Sequence, residues 1–492
     1  MKARTKQPTT ASRGGPFPRR GKENGQKGTL SATRGREQGS AFNQLEAFPY
    51  QELLRQSIAR RAIEGAIWGM PIVSVHAMRE AFFRDAGAKY GDIIYWSKPS
   101  DWKNQLTTPN ASSLYVYFNF NTKNGPVVLD FPAAVGAGLF GTLLNAWQVP
   151  LVDVGPKGGD GGKGGKYLIL PPDYKGKVPP GHIPVRSATY NGYALFRAIP
   201  ASSAETDRAK AVALVRKQQI YPLARASNPP KQRFIDMAGK AFDGIVRYDA
   251  SFYTALAHMI NEEPVQPCDL VAMGQLRSLG IHKGNAFRPD ILTKKELGKA
   301  IREAHAWFMS TNVEWTEPWW RGSQWGLSKG LPFATKTRFS FIAEDYLGID
   351  ARAPIYFLAF ATPARLGEAS FYLVAWKDGK GEPLQGKNSY RLHIPPNVPA
   401  GQFWAVTVYD LETAGFLRHS PRVGLDSYDQ KMRRNGDGSV DVCFGPEPIP
   451  GQEMNWVYTA PGKRWFAMFR FYAPKEMLFQ KKWKLPEIQT AR

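Results

Sequence analysis

Along most of this chain, apolar and polar positions follow one of two periods, and the period switches several times. Between Phe48 and Asp85 the apolar residues Leu53, Leu54, Ile58, Ile63, Ile67 and Trp68 recur every three to five positions, a helical spacing. Pro71 interrupts that run, so the pattern predicts two helices or one kinked helix. From about 104 to 200 the texture turns to strands. Leu114–Phe118, Pro126–Asp130, Trp147–Val154 and Tyr167–Leu170 are short apolar and aromatic runs separated by turn residues. Helical spacing returns over 203–310. Ser202 or Ser203 is placed to cap a helix running through Val212, Leu214 and Val215 to Tyr221. Phe242–Glu262, Asp269–Leu279 and Thr293–Met309 read as further helices. From about Phe339 the strand texture resumes, with Phe403–Tyr409 and Trp465–Tyr472 as its clearest runs and Asn435-Gly-Asp-Gly438 as a turn between them. Short strands bounded by Gly, Pro, Asn and Asp predict a sandwich or a barrel.

Composition supports this layout. The 492 residues suit two or three domains, and 43% hydrophobic content is enough to fill their cores. Gly (47) and Pro (38) are spread along the chain, as turns between strands would require, rather than gathered into a low-complexity segment. No internal repeat of solenoid period is visible.

Charge changes the picture at one end. The net charge is +23; residues 1–40 carry ten Lys or Arg against two Glu, hence +8, which leaves +15 for the rest. This tail is polar and nearly free of large apolar side chains, so it is expected to be disordered. Arg13, Arg19, Arg20 and Lys22 are its candidates for contact with nucleic acid or an anionic surface, although a solubilising or targeting extension is the favoured reading. The tail lacks the apolar core of a secretory signal, and no run of about 18 apolar residues is present, so neither secretion nor a membrane span is expected and a cytoplasmic location is the default. Two cysteines, Cys268 and Cys443, exclude four-cysteine zinc sites, while one disulfide or none fits equally.

Motif chemistry is sparse. The stretch Gly155-Pro-Lys-Gly-Gly-Asp-Gly-Gly-Lys-Gly-Gly-Lys166 lacks the spacing and the following helix of a phosphate-binding loop and reads as a hairpin loop, with exposed amides and three lysines able to hold an anion. The seven histidines show no helical metal spacing, so no metal is expected. A nucleophile elbow and a dinucleotide fingerprint are both absent. Trp315, Trp319, Trp320 and Trp325 form a cluster whose rings suit a sugar or a polyanion, with packing at a domain junction as the favoured alternative. Thr108, Asn110 and Tyr115 form one polar cluster in the first strand region, and Arg186 with Tyr190 forms another. Arg186 and Arg197 sit among apolar residues; a charge so placed takes a structural partner, the favoured reading, or binds an anion.

Several stretches together resemble a known family. They are Ala66-Ile-Trp-Gly-Met-Pro-Ile72, Thr108-Pro-Asn110, Gly125-Pro-Val-Val-Leu129, Gly162-Lys-Gly-Gly-Lys-Tyr-Leu-Ile-Leu-Pro-Pro172, Val185-Arg-Ser187, Tyr346-Leu-Gly-Ile349, Phe403-Trp-Ala-Val-Thr-Val-Tyr-Asp410, Asn435-Gly-Asp-Gly-Ser439, Asn455-Trp456 and Arg470-Phe-Tyr-Ala-Pro474. Over roughly 45–490 the chain resembles proteins that pair domain of unknown function 1254 with domain of unknown function 1214. The resemblance implies a mixed, mainly β architecture: two jelly-roll-like β-sandwich domains joined by helices, with association into homo-oligomers. The expected limits are a basic tail at 1–44, helices and a first β domain at 45–200, a mainly helical section at 201–335 and a second β domain at 336–492. The resemblance carries no activity, cofactor or catalytic residue.

Three functional readings follow. One is a ligand-binding protein or enzyme with a pocket between the β domains and the helical section, drawing on Thr108, Asn110, Tyr115, Arg186, Tyr190, Tyr409 and Asp410, with Asp410 as the candidate acid–base group. A second is an assembly protein whose tail contacts nucleic acid. The third is carbohydrate or polyanion binding through Trp319 and Trp320.

Overall fold

The computed structural model describes residues 47–202, 204–360 and 370–491. Contacts divide the chain into a unit Met1–Leu53, of which residues 47–53 are described, and a unit Leu54–Arg492, which holds the features below. The tail residues Arg13, Arg19, Arg20 and Lys22 lie outside the described residues.

The first helix, α1 (Tyr50–Asp85), is a single helix with Pro71 inside it, so of the two expected arrangements the pair of separate helices is the one not found. Residues 65–75 are all buried, and the Pro71 carbonyl accepts a hydrogen bond from Gln148 Nε2 at 3.0 Å. Packing on all sides carries the helix past a residue that would end it in isolation.

The first β region is built on β1 (Ile93–Tyr95), β2 (Leu114–Asn121), β3 (Val127–Phe131), β4 (Gly138–Asn145), β5 (Pro150–Val154), β6 (Gly165–Leu170), β7 (His182–Arg186), β8 (Asn191–Ile199) and, after helix α2 (Glu205–Val215), β9 (Gln219–Pro222). Strands β1-β2-β8-β4-β5 belong to a six-stranded sheet, and β9-β3-β6-β7 form a four-stranded one. Phe118 and Phe196 of the large sheet meet Leu129 and Ile169 of the small one in a shared core, which makes the pair a sandwich. Helix α2 starts without a side-chain cap; Ser202 Oγ instead accepts from the Ala204 N–H and donates to Asp207, and Ser203 lies outside the described residues.

The helical section comprises α3 (Ser251–Glu262), α4 (Leu270–Arg277), α5 (Ile291–Glu314), α6 (Leu331–Lys336) and α7 (Ile349–Leu358). Phe242, expected to open α3, pairs instead in a two-residue strand with Asn104, and its ring packs 4.7 Å from that of Phe82. That tertiary contact overrides the helical spacing of the local sequence.

A second set of nine strands completes the fold: β10 (Gly326–Ser328), β11 (Ser370–Ala375), β12 (Tyr390–Ile394), β13 (Trp404–Asp410), β14 (Gly424–Asp426), β15 (Val440–Gly445), β16 (Trp456–Tyr458), β17 (Trp465–Tyr472) and, after helix α8 (Glu476–Phe479), β18 (Gln489–Thr490). Their order is that of the first set. Strands β10-β11-β17-β13-β14 repeat β1-β2-β8-β4-β5, and β18-β12-β15-β16 repeat β9-β3-β6-β7. Even the unusual parallel pair recurs, β6 with β7 and β15 with β16. The molecule is therefore mixed in class, with two β-sandwiches of like connectivity separated by helices. Among the described residues no helix is long and apolar enough to cross a membrane, and Cys268 (exposed) and Cys443 (buried) are both free thiols.

Candidate functional site

Side chains alternate between the two faces of a strand. In each sandwich one face of the large sheet fills the core; the other faces the opposite sandwich. From the first come Tyr115 on β2 and Leu195 and Arg197 on β8; from the second come Tyr372 and Val374 on β11 and Met468 and Arg470 on β17. Together with Leu331 of α6 and Ile355 and Leu358 of α7 they line a cavity of about 730 Å³.

Two guanidinium groups form one charged part of it, and Asp153 and Lys157 also line it. Arg470 is 2% exposed and held from three directions: Nη1 donates to Thr407 Oγ1 at 3.0 Å, and Nη2 donates to Tyr409 Oη at 2.5 Å and to the Thr108 carbonyl at 3.4 Å. Among the described residues its buried Nε has no acceptor. Arg197 is half-buried and donates from Nη2 to Tyr372 Oη at 2.8 Å, across to the other sandwich. Ser370 Oγ donates to the same phenol oxygen at 3.0 Å. The two arginines occupy equivalent places: Arg197 sits opposite Tyr115 in the β8–β2 register, and Arg470 opposite Tyr372 in the β17–β11 register. Their guanidinium carbons lie 5.8 and 5.1 Å from those respective rings.

Among the described residues neither arginine has a carboxylate within ion-pair distance, so the structural partner expected for Arg197 is a phenol rather than an acid. Burial opposes charge on both guanidiniums, yet the surrounding tyrosine oxygens hold both cations above the ordinary arginine range. The reciprocal effect falls on Tyr372. Burial disfavours its anion, but Arg197 and Arg470 outweigh burial and bring the phenol below the usual tyrosine range. Tyr409, where burial dominates, is pushed up to about 12. The arrangement can hold an oxygen atom of a bound molecule against fixed positive charge, and Tyr372 can accept or release a proton beside it.

The expected site residues divide. Thr108 and Tyr115 line the cavity; Asn110 and Tyr409 stand behind it. Asn110 Nδ2 donates to Tyr472 Oη at 2.5 Å, and Tyr409 Oη donates to the Pro109 carbonyl at 2.5 Å. Thr108 Oγ1 donates to the Leu358 carbonyl at 2.7 Å, with the backbone held at φ 39°, a conformation costly for a β-branched residue. The other residues lie elsewhere. Arg186 is exposed on β7, and the Tyr190 N–H donates to Glu263 Oε2 at 2.6 Å. Asp410 pairs with Lys463 at 3.3 Å, turned from the cavity because its strand neighbour Tyr409 takes the cavity-side face. Trp320 and Trp325 are buried in the second core, and Trp319 packs against Phe371 under the Lys481 ammonium, 5.0 Å from the ring. The tryptophan cluster is thus largely a core element.

The glycine-rich loop is not the hairpin loop expected: it carries the chain from β5 of the large sheet to β6 of the small one. Asp160 fills its nest of amides, accepting from the N–H groups of Gly155 at 2.7 Å and Gly164 at 3.0 Å and from Tyr167 Oη at 2.7 Å. An internal carboxylate takes the place of an outside anion. Positive φ at both glycines (103° and 76°) makes the wrap sterically affordable. The loop still borders the cavity through Pro156 and Lys157.

The residues not singled out beforehand are Tyr372, Ser370 and Arg470. A signal existed: Ser113-Leu-Tyr115 with Phe196-Arg197 in the first half matches Ser370-Phe-Tyr372 with Phe469-Arg470 in the second. Pairs this short become a pattern only once the strands that carry them are known to correspond.

Comparison with known families agrees with this division. Residues 91–222 match a protein of unknown function model, DUF1254, and residues 369–476 match another, DUF1214. The chain pairs both domains, and the matches span β1 to β9 and β11 to the start of α8. No curated protein matches the chain. Among solved structures, the VPA0106 protein from Vibrio parahaemolyticus is similar at 17% identity and TM-score 0.51, over 88% of this chain and 100% of its own. An uncharacterised protein from Burkholderia cenocepacia aligns at 13% identity and TM-score 0.39, over 91% of this chain and 98% of its own.

Proposed function

We propose that this protein binds a small molecule in the cavity between the two large sheets. The observation that carries the reading is the cavity itself: about 730 Å³, lined mainly by apolar side chains, with two arginines and two tyrosines converging on one part of it. Ligand sites have this volume and this mixture of apolar walls with a few placed polar groups. Burying two guanidiniums that have no carboxylate partner among the described residues costs stability, and a sheet-to-sheet contact made only for packing would use apolar residues there. A binding role gives that cost a purpose.

The test uses a neutral fluorescent probe, N-phenyl-1-naphthylamine, titrated into the full-length protein. Binding with a blue shift and enhanced emission is expected. Val374→Trp, which fills the cavity from β11, should weaken it at least about tenfold, the loss of roughly 1.4 kcal/mol. Unchanged probe binding in that folded variant would place the probe elsewhere and remove the support for this reading.

A further inference from the structure

Two sandwiches of like connectivity meet at the cavity, and each contributes an arginine from the same strand position. Arg197 stands on β8 opposite Tyr115, and Arg470 on β17 opposite Tyr372. The charges converge on one phenol: Arg197 Nη2 lies 2.8 Å from Tyr372 Oη, while the Arg470 guanidinium carbon lies 5.1 Å from the Tyr372 ring. Every hydrogen-bond partner these guanidiniums have among the described residues is a neutral oxygen, on a tyrosine, a threonine or a carbonyl. Buried cations in proteins are balanced by an anion. Among the described residues this cluster holds two cations and, at most, one phenolate.

From this geometry we infer that the Arg197–Arg470–Tyr372 cluster is an anion subsite, which takes the oxyanion headgroup of an organic molecule whose apolar body fills the rest of the cavity. The inference rests on the cavity being a ligand site and adds the ligand's chemical class. Arg197 is the group that touches the headgroup. It lines the cavity, keeps part of its surface open, and donates from Nη2 to Tyr372, leaving further donors in its planar fork for a carboxylate, sulfonate or phosphate. Arg470, enclosed and held by Thr407, Tyr409 and Thr108, adds charge from behind. Leu195, Leu331, Phe371 and Met468 supply apolar wall nearby, so a bare inorganic ion would leave most of the space unused. The lowered Tyr372 phenol fits the same arrangement, since the two guanidiniums favour negative charge at that point.

The experiment compares two probes that differ by one anionic group, N-phenyl-1-naphthylamine and 1-anilinonaphthalene-8-sulfonate, on the full-length protein. The sulfonate is expected to bind about 10–100-fold more tightly than its neutral partner, the range for hydrogen bonds to a charged group. In Arg197→Met the ratio should fall to near one while the neutral probe binds as before, which also reports that the variant is folded. Arg197→Gln serves the same purpose if the methionine variant does not fold. Acetate and inorganic phosphate, added as competitors to the wild type, rank the headgroups, and displacement of the sulfonate by either supports the subsite. A ratio near one in the wild type, or a ratio untouched by both Arg197 variants, overturns the anion subsite and leaves the cavity reading intact. Failure of the neutral probe to respond to Val374→Trp overturns the cavity reading instead.

Discussion

The two sandwiches place an arginine at the same point of the same strand and hold it in opposite ways. In the second sandwich Arg470 is enclosed, with three acceptors around it. In the first, Arg197 is half-buried and reaches out of its own sandwich to a tyrosine of the other. The tyrosines opposite them differ in the same sense. Tyr372 receives hydrogen bonds from Arg197 and Ser370, while Tyr115 chiefly offers its ring, 5.8 Å from the Arg197 guanidinium. Like connectivity therefore fixes where a side chain stands, and the local shell decides what it does: one arginine is locked within its own sandwich, the other opens onto the cavity.

The largest expected effect breaks that comparison directly. Arg470→Ala should destabilise the protein by about 3 kcal/mol or more, because it opens a void and strands the buried Tyr409 and Thr407 oxygens. Arg197→Ala should cost under about 1.5 kcal/mol, since one hydrogen bond is lost and solvent can enter. Urea denaturation of both variants checks the difference, and equal losses would erase the distinction between the locked and the open arginine.

The loops between the fifth and sixth strands of each sandwich give a second comparison. In the first, Asp160 ties the loop to the cavity rim with three hydrogen bonds. Asp160→Ala should cost about 2–3 kcal/mol and raise amide exchange at Gly155 and Gly164, as measured by hydrogen exchange. The second sandwich keeps its carboxylate on the strand after the loop. Asp441 accepts from Arg391 at 2.5 Å, Asn435 at 2.9 Å and His393 at 2.9 Å. Burial works against its charge, but these donors outweigh burial and bring Asp441 down to about 2. A depressed carboxyl stabilises the fold above its unfolded value near 4, and that contribution is lost as pH falls through about 2. With Arg391 and His393 largely in solvent the contribution is about 1–2 kcal/mol. Between pH 5 and pH 2, Asp441→Asn should therefore lose less stability than wild type, by thermal unfolding.

The smallest effect is spectroscopic and needs no change in stability. Tyrosine ionisation followed near 295 nm should begin below the ordinary value of about 10 in wild type, and Tyr372→Phe should remove that early component. An unaltered titration would show that the two arginines do not act on Tyr372.

Much of the architecture was legible in the chain. Leu114–Phe118 and Trp465–Tyr472 read as strands because their apolar and aromatic residues have to be buried, and strands they are. Phe242 misled because long-range packing against Phe82 outweighed local preference, while Pro71 left open whether one helix or two would form, and packing decided it. Around the cavity, Thr108 and Tyr115 were legible as a polar cluster at the entry to a strand, and Tyr409 as the end of the run Phe403–Tyr409. Tyr372 and Arg470 were missed because an apolar run does not reveal which of its two faces meets a core and which meets a cavity.

Period, composition and turn residues thus determined the elements and the division into β-rich, helical and β-rich stretches, since these follow from local sterics and the need to bury apolar area. The pairing of strands, the correspondence of the two sandwiches and the meeting of Arg197 with Tyr372 were decided by tertiary structure alone. Those residues lie far apart in sequence, and what joins them is the electrostatics of a shared, poorly solvated space that exists only after both sheets have packed.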